Sequence, residues 1–119
     1  LRQGMYLQRL RYGASKITHN HVYEWASKGS AKLLGRNDIG EIEIGKQADL
    51  ALFKLDELRF SGSHDPLAAL LLCGAQRADR VMVAGQWRVV DGKIVDKDEA
   101  ELIHRHSDAA KKLRQLASA

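Results

Sequence analysis

The stretch Asp38-Ile39-Gly40-Glu41-Ile42-Glu43-Ile44-Gly45-Lys46-Gln47-Ala48-Asp49-Leu50-Ala51-Leu52-Phe53 organises the rest of the chain. Ile39, Ile42 and Ile44 are β-branched, and Glu41 and Glu43 alternate with the last two, so the residues predict two short strand-like pieces joined by a glycine turn. Gly40 and Gly45 permit backbone angles that a side chain opposes. Leu50 to Phe53 is an almost continuous apolar run, which predicts a strand buried on both faces. Gly45 to Asp49 forms a tight polar entry to that strand, with Asp49 placed to hydrogen-bond the turn backbone.

Outward from this stretch the chain alternates helix and strand signals. Leu1, Met5, Tyr6, Leu7 and Leu10, with Arg and Gln between them, predict an amphipathic helix ending near Gly13. Thr18 or Asn20 caps a second helix whose apolar face is Val22, Trp25, Ala26 and Gly29. Ser30 to Leu34 continues it until Gly35 and Asn37 stop it. Lys54 to Asp65 is polar and loop-like. Pro66, the only proline, suits the first position of a helix running to Cys73.

Three strands follow: Arg80 to Gly85, Gln86 to Val90, and Lys93 to Val95. Ala84-Gly85 and Asp91-Gly92 lie at the two turns, and Asp-Gly between apolar runs is a strong hairpin signal. Asp96 with Glu99 is read as a capping arrangement. Leu102, Ala109, Leu113 and Leu116, at three- and four-residue multiples, predict a closing amphipathic helix.

The totals exclude several classes. The 119 residues suffice for one modest domain but not for a (β/α)8 barrel of about 250 residues. The 19 Lys and Arg against 15 Asp and Glu give a net +4, spread along the chain without a basic stripe of interleaved aromatics, which argues against a nucleic-acid partner. The single cysteine, Cys73, excludes an internal disulfide and suits a cytoplasmic location. Inside an apolar run, it is expected to be a small buried residue. That run, Leu67 to Ala75, is far shorter than the about 20 residues a membrane span needs. No signal peptide is visible. The chain opens at Leu1 within a helical pattern and is expected to be cut from a longer polypeptide.

Three His-containing motifs invite a chemical reading. His19-Asn20-His21 has the His-x-His form of a metal pair, but precedes a helix. There positions i and i+2 point about 200° apart and cannot share an ion, so both are read as polar helix-cap residues. His104-Arg105-His106 fails by the same geometry and is expected on a solvated helix face, with one ring against the apolar stripe. His64-Asp65 is expected to form a local hydrogen-bonded turn, a substrate-facing role being the alternative. Trp25 and Trp87 are read as packing residues. No His, Asp, Glu or Cys cluster has zinc-ligand spacing. Accordingly no catalytic residue, no substrate-binding residue, no metal ligand and no cofactor is assigned within 1–119.

Ile39 to Phe53 resembles the segment by which metal-dependent amidohydrolases leave their barrel and enter a small β-sandwich. Gly29-Ser-Ala-Lys-Leu-Leu-Gly35 is similar to the helix before that exit, and residues 80–95 to the closing meander. Phe60 to Gly85 looks most like the branch of 8-oxoguanine deaminases and hydroxyatrazine hydrolases. The resemblance implies a mixed α and β fold: the C-terminal portion of an amidohydrolase, with barrel-end helices over 1–37, part of the composite sandwich over 38–95 with an inserted helix near 66–74, and a C-terminal helix over 96–119. It further implies that Asp49 is structural. The family's metal-binding Asp at the end of the eighth barrel strand has no counterpart in 1–119.

For the parent protein the resemblance implies hydrolytic deamination of an aromatic N-heterocycle, using one zinc or iron ion. This chain, without the metal-bearing barrel strands, is expected to be inactive. Its expected partners are the barrel region of the parent or further copies of itself. A stand-alone binding or scaffold domain derived from the sandwich is the alternative.

Overall fold

The computed structural model describes residues 1–74 and 77–117. Ala75, at the end of the apolar run, and Ser118 and Ala119, at the end of the last segment, lie outside them. Helix α1 spans Arg2–Tyr12. Helix α2, His19–Glu24, runs through a π turn at Trp25–Gly29 into α3, Ser30–Leu33. Ser27 Oγ donates to the Tyr23 carbonyl (2.7 Å) and Ser30 Oγ to the Trp25 carbonyl (2.9 Å), so hydroxyls occupy carbonyls where the helix widens. Helix α4, Pro66–Ala69, likewise opens into a π turn at Leu70–Gly74. Helix α5 spans Glu99–Ala117.

Among the described residues four antiparallel strands form one meander in the order β1 (Leu50–Leu52), β2 (Arg80–Val83), β3 (Gln86–Val90), β4 (Lys93–Ile94). Leu50 pairs with Met82 and Leu52 with Arg80, and a bulge lies between Val81 and Met82 where β2 meets β3. Both tight turns have two residues at positive φ: Ala84 (50°) with Gly85 (77°), and Asp91 (51°) with Gly92 (70°). That is the pairing a primed hairpin turn demands, and its twist matches the strands it joins.

The core lies in the helical half. Met5, Val22 and Leu71 bring α1, α2 and the end of α4 together, with Ile17 and Tyr23 packed against them. Ala31, Phe60 and Ala69 are also buried, while every residue of the four strands is at least partly exposed. The accessible surface is 9546 Å², against about 6,450 Å² for a compact monomer of 13.3 kDa. The radius of gyration is 18.6 Å, where about 13.5 Å is expected for this length. A surface of some 3,000 Å² beyond the compact value stands open.

Several expectations change for that reason. Residues 39–44 are not strands but a loop. Glu41 is drawn to Lys28 and Lys46, and Ile42 and Ile44 are 90% and 103% exposed with no strand beside them. The run Leu50–Phe53 is not buried on both faces: β1 is an edge strand and Leu52 is exposed. Trp25 and Trp87 are exposed as well. Trp25 stacks on His21, and the Arg80 guanidinium lies over the Trp87 ring. Of the apolar face expected on the second helix, only Val22 is buried. Cys73 is exposed, because Leu71 is the residue of its turn that points into the core.

The helix cap at α5 is Asp98 rather than Asp96. Asp98 Oδ1 accepts from the Ala100 and Glu101 amides, while Asp96 has φ 59°. The stripe Leu102, Leu113 and Leu116 is exposed, and α5 buries none of its described side chains. No helix among the described residues is long and apolar enough to cross a membrane.

Candidate functional site

The residues that invited chemistry fall into two separate places. The first is the joint between α2 and α4. Thr18 is the N-cap of α2, and its backbone N–H donates to Nδ1 of His21 three residues later (3.1 Å). An accepting Nδ1 carries no proton, so the ring holds its hydrogen on Nε2. His19, at the first position of α2, turns the other way and places Nε2 3.1 Å from Asp65 Oδ2. Asp65 in turn caps α4: its Oδ1 accepts from the Ala68 amide (3.0 Å) ahead of Pro66. Tyr23 donates its hydroxyl to the Leu67 carbonyl (3.0 Å). Burial, and secondarily the negative Asp65, push the phenol pKa up.

The two histidines of 19–21 are thus committed to different partners. His64 is exposed, and its neighbour Asp65 serves the helix cap and His19. His104 pairs with Asp108 one turn on (3.3 Å), and both it and His106 are exposed rather than set against a core. Among the described residues no group of three or more His, Cys, Asp or Glu comes close enough to hold a metal ion. His19 and Asp65 alone offer two donors where zinc takes at least three from protein, so the donor set does not fit a zinc centre.

The second place is the polar entry to β1. Arg36 grips Asp38 with two nitrogens (2.9 and 2.6 Å) and touches Gln47 Oε1 (3.2 Å). Gln47 Nε2 donates to both oxygens of Asp49. Asp49 Oδ1 accepts the Ala84 amide at 2.7 Å, which holds the β2–β3 turn 35 residues away. The Ala84 amide first, and then Gln47, hold the Asp49 carboxyl below the usual range. Asp49 therefore locks a turn as its sequence position suggests, but the locked turn is that of another hairpin. Glu41 beside it bridges Lys28 and Lys46, raising both ammonium pKa values and lowering its own.

An open groove of about 430 Å³ is lined by Leu1, Arg2, Tyr23, Phe53, Leu71 and Cys73. Arg2 Nη1 donates to the Leu72 carbonyl and Arg59 Nη1 to the Gly74 carbonyl, closing the end of the π turn beside it. Sequence reasoning missed the His19–Asp65 pair, which spans 46 residues. The Asp-Pro dipeptide ahead of an apolar run is the signal that would have identified Asp65 as a cap.

Comparisons with known proteins agree on one family. The model of the amidohydrolase family matches residues 1–95. An 8-oxoguanine deaminase of Pseudomonas aeruginosa is 70% identical over 112 residues, which are 94% of this chain and 25% of that protein. An isoxanthopterin deaminase of an unknown prokaryote is 32% identical over 76% of this chain and 19% of its own length. Among solved structures, an atrazine chlorohydrolase of Arthrobacter aurescens complexed with zinc superposes at TM-score 0.82 and 31% identity, covering 90% of this chain and 24% of that one. A zinc-bound adenosine deaminase of Xanthomonas campestris superposes at TM-score 0.87 and 28% identity, covering 96% and 27%. The chain spans about a quarter of the length of the curated relatives it matches. With the match running through most of its length, this mixed α and β chain belongs to the amidohydrolase family.

Proposed function

We propose that this chain is the C-terminal portion of a metal-dependent amidohydrolase that hydrolytically deaminates 8-oxoguanine or a closely similar aromatic N-heterocycle. The observation that carries this is the 70% identity to an 8-oxoguanine deaminase over nearly the whole chain. In this reading residues 1–37 are barrel-end helices, residues 38–95 are the sandwich portion with the insertion near 66–74, and residues 96–119 are the C-terminal helix.

Hydrolytic deamination needs a metal ion to activate water and an acid/base to pass a proton to the leaving amine. In this reading both duties fall to parts of the parent outside 1–119, which is supported by there being no group of three or more metal-ligating side chains among the described residues. The contribution of this chain is structural. Its open surface, some 3,000 Å² beyond that of a compact monomer, braces the barrel, and the edge of β1 adjoins further sandwich strands. The location is cytoplasmic in this reading. Where the barrel is absent, the same surface drives self-association.

The test is ammonia release from 8-oxoguanine. The full-length parent should turn it over, and the 119-residue chain alone should release none. A parent inert on 8-oxoguanine and related oxopurines would refute the substrate class. Turnover by the chain alone would refute its structural role.

A further inference from the structure

We propose that Gln47 is the directional link of a polar relay, Arg36–Gln47–Asp49–Ala84, through which the end of α3 sets the β2–β3 turn. The proposal stands on contacts within this chain, so its failure would leave the deaminase assignment untouched.

The relay begins at a rigid point. Gly35, at φ 67°, ends α3: its amide donates to the Lys32 carbonyl (3.0 Å), and the next amide, of Arg36, donates to the Ala31 carbonyl (3.0 Å). That pair of bonds seals the helix end, and Ala31 is buried. Arg36 is held again at its tip by the two bonds to Asp38, whose own carbonyl accepts the Gln47 amide (2.8 Å). The relay ends at a strained point. Ala84 lacks the freedom of glycine yet sits at φ 50°. Its turn is held by two bonds, Ala84 N–H to Asp49 Oδ1 and Gly85 N–H to the Ala48 carbonyl (3.0 Å).

Between those ends, donors and acceptors fit together in one sense only. A guanidinium only donates, a carboxylate only accepts, and a backbone N–H only donates. Of the four linked groups, the Gln47 amide alone does both. Its Oε1 faces Arg36 (3.2 Å), so its Nε2 faces Asp49 and reaches both carboxylate oxygens, at 3.0 and 2.9 Å. Turning the amide over would set oxygen against carboxylate and NH2 against guanidinium. Arg36 thereby fixes the sense of the amide, and the amide orients Asp49 so that Oδ1 meets the Ala84 N–H at 2.7 Å. The charges agree: the Ala84 amide and then Gln47 hold the Asp49 carboxyl below its usual range, Arg36 adds to that, and Asp38 opposes it.

Arg36, Asp49 and Ala84 are exposed, so each bond contributes modestly and the relay is read locally rather than from overall stability. The Asp91-Gly92 turn supplies an internal control. It has a like pair of positive φ angles, 51° and 70°, but its Gly92 amide donates to the Asp79 carbonyl (2.8 Å).

The test is nuclear magnetic resonance of the isotope-labelled chain, reading hydrogen exchange at the Ala84 and Gly92 amides and, from the Ala84 amide shift, the titration of Asp49. Gln47→Glu, which only accepts, should lower Ala84 protection about three- to fivefold and move the Asp49 midpoint up. Gln47→Lys, which only donates, should keep the protection and move the midpoint down. Arg36→Met should lower Ala84 protection in an otherwise unaltered chain. It should change that protection little beside Gln47→Lys, whose ammonium needs no guanidinium to fix its sense. Gly92 protection should hold steady throughout. Gln47→Glu and Gln47→Lys acting alike, or an Ala84 amide indifferent to Arg36→Met, would overturn the relay. So would an Arg36→Met loss as large beside Gln47→Lys as without it, or equal losses at Gly92, which would mark a general loosening of the sheet.

Discussion

Gly40 and Gly45 form a matched pair from which the cost of a close approach can be read. Their φ angles are 89° and 90°, so an added Cβ meets the same backbone strain at both, about 1–2 kcal/mol. What differs is the space. At Gly45 nothing lies within 4 Å of the position a Cβ would take. At Gly40 it would sit 3.0 Å from the Ala31 Cβ, 3.0 Å from the Ser27 carbonyl oxygen and 3.1 Å from its carbon. Those atoms belong to helix backbone and to a buried alanine, which cannot swing aside like the end of a long side chain. Overpacking of that kind adds about 1–3 kcal/mol. Gly45→Ala should therefore destabilise by roughly 1–2 kcal/mol and Gly40→Ala by roughly 2–5 kcal/mol. Urea unfolding followed by circular dichroism measures both, with an unchanged slope showing that stability alone has moved. Equal losses, or a larger loss at Gly45, would refute the claim that Gly40 seats the 38–49 loop on the helix.

Two further outcomes follow from the described contacts. Asp49, Asp38 and Glu41 all have carboxyl pKa values lowered in the folded chain, so their stabilisation is present above the unfolded carboxylate range and fades as pH falls through the folded values. Unfolding midpoints measured from neutral pH to about pH 3 should fall in the wild type and fall less steeply in Asp49→Asn. Exposed Cys73 should react stoichiometrically with a thiol reagent in the folded chain, at close to the rate seen in urea. Strong protection would contradict its placement on the groove wall.

What the sequence made legible was whatever is settled within a few residues. The helix opened by Pro66 and the turns at Ala84-Gly85 and Asp91-Gly92 are local events that the chain alone places, and it narrows the cap of α2 to Thr18 or Asn20, of which the structure takes Thr18. Residues 39–44 misled because alternation is a strand signal only where a neighbouring strand accepts it. Here Glu41 instead answers Lys28, 13 residues earlier. Trp25, Trp87 and Cys73 misled for a related reason: burial depends on what arrives from elsewhere, and apolar character does not create a neighbour. Asp49 was legible as a structural carboxylate but not as the clasp of Ala84, since no local pattern encodes a contact across 35 residues. The His19–Asp65 pair escaped on the same ground. The Asp98 cap was missed by two positions, within reach of local reasoning that weighed Asp96 first.

The meander holds its shape with no wholly sheltered side chain, while Met5, Val22 and Leu71 knit the opposite half together. Order in this chain is therefore graded along its length. Amide protons of α1 and α2 should outlast those of β1 to β4 in deuterium oxide, and the ladder should open while the helical knot still stands. Local opening therefore starts at the sheet, well below the free energy of the cooperative unfolding that the helical half sets.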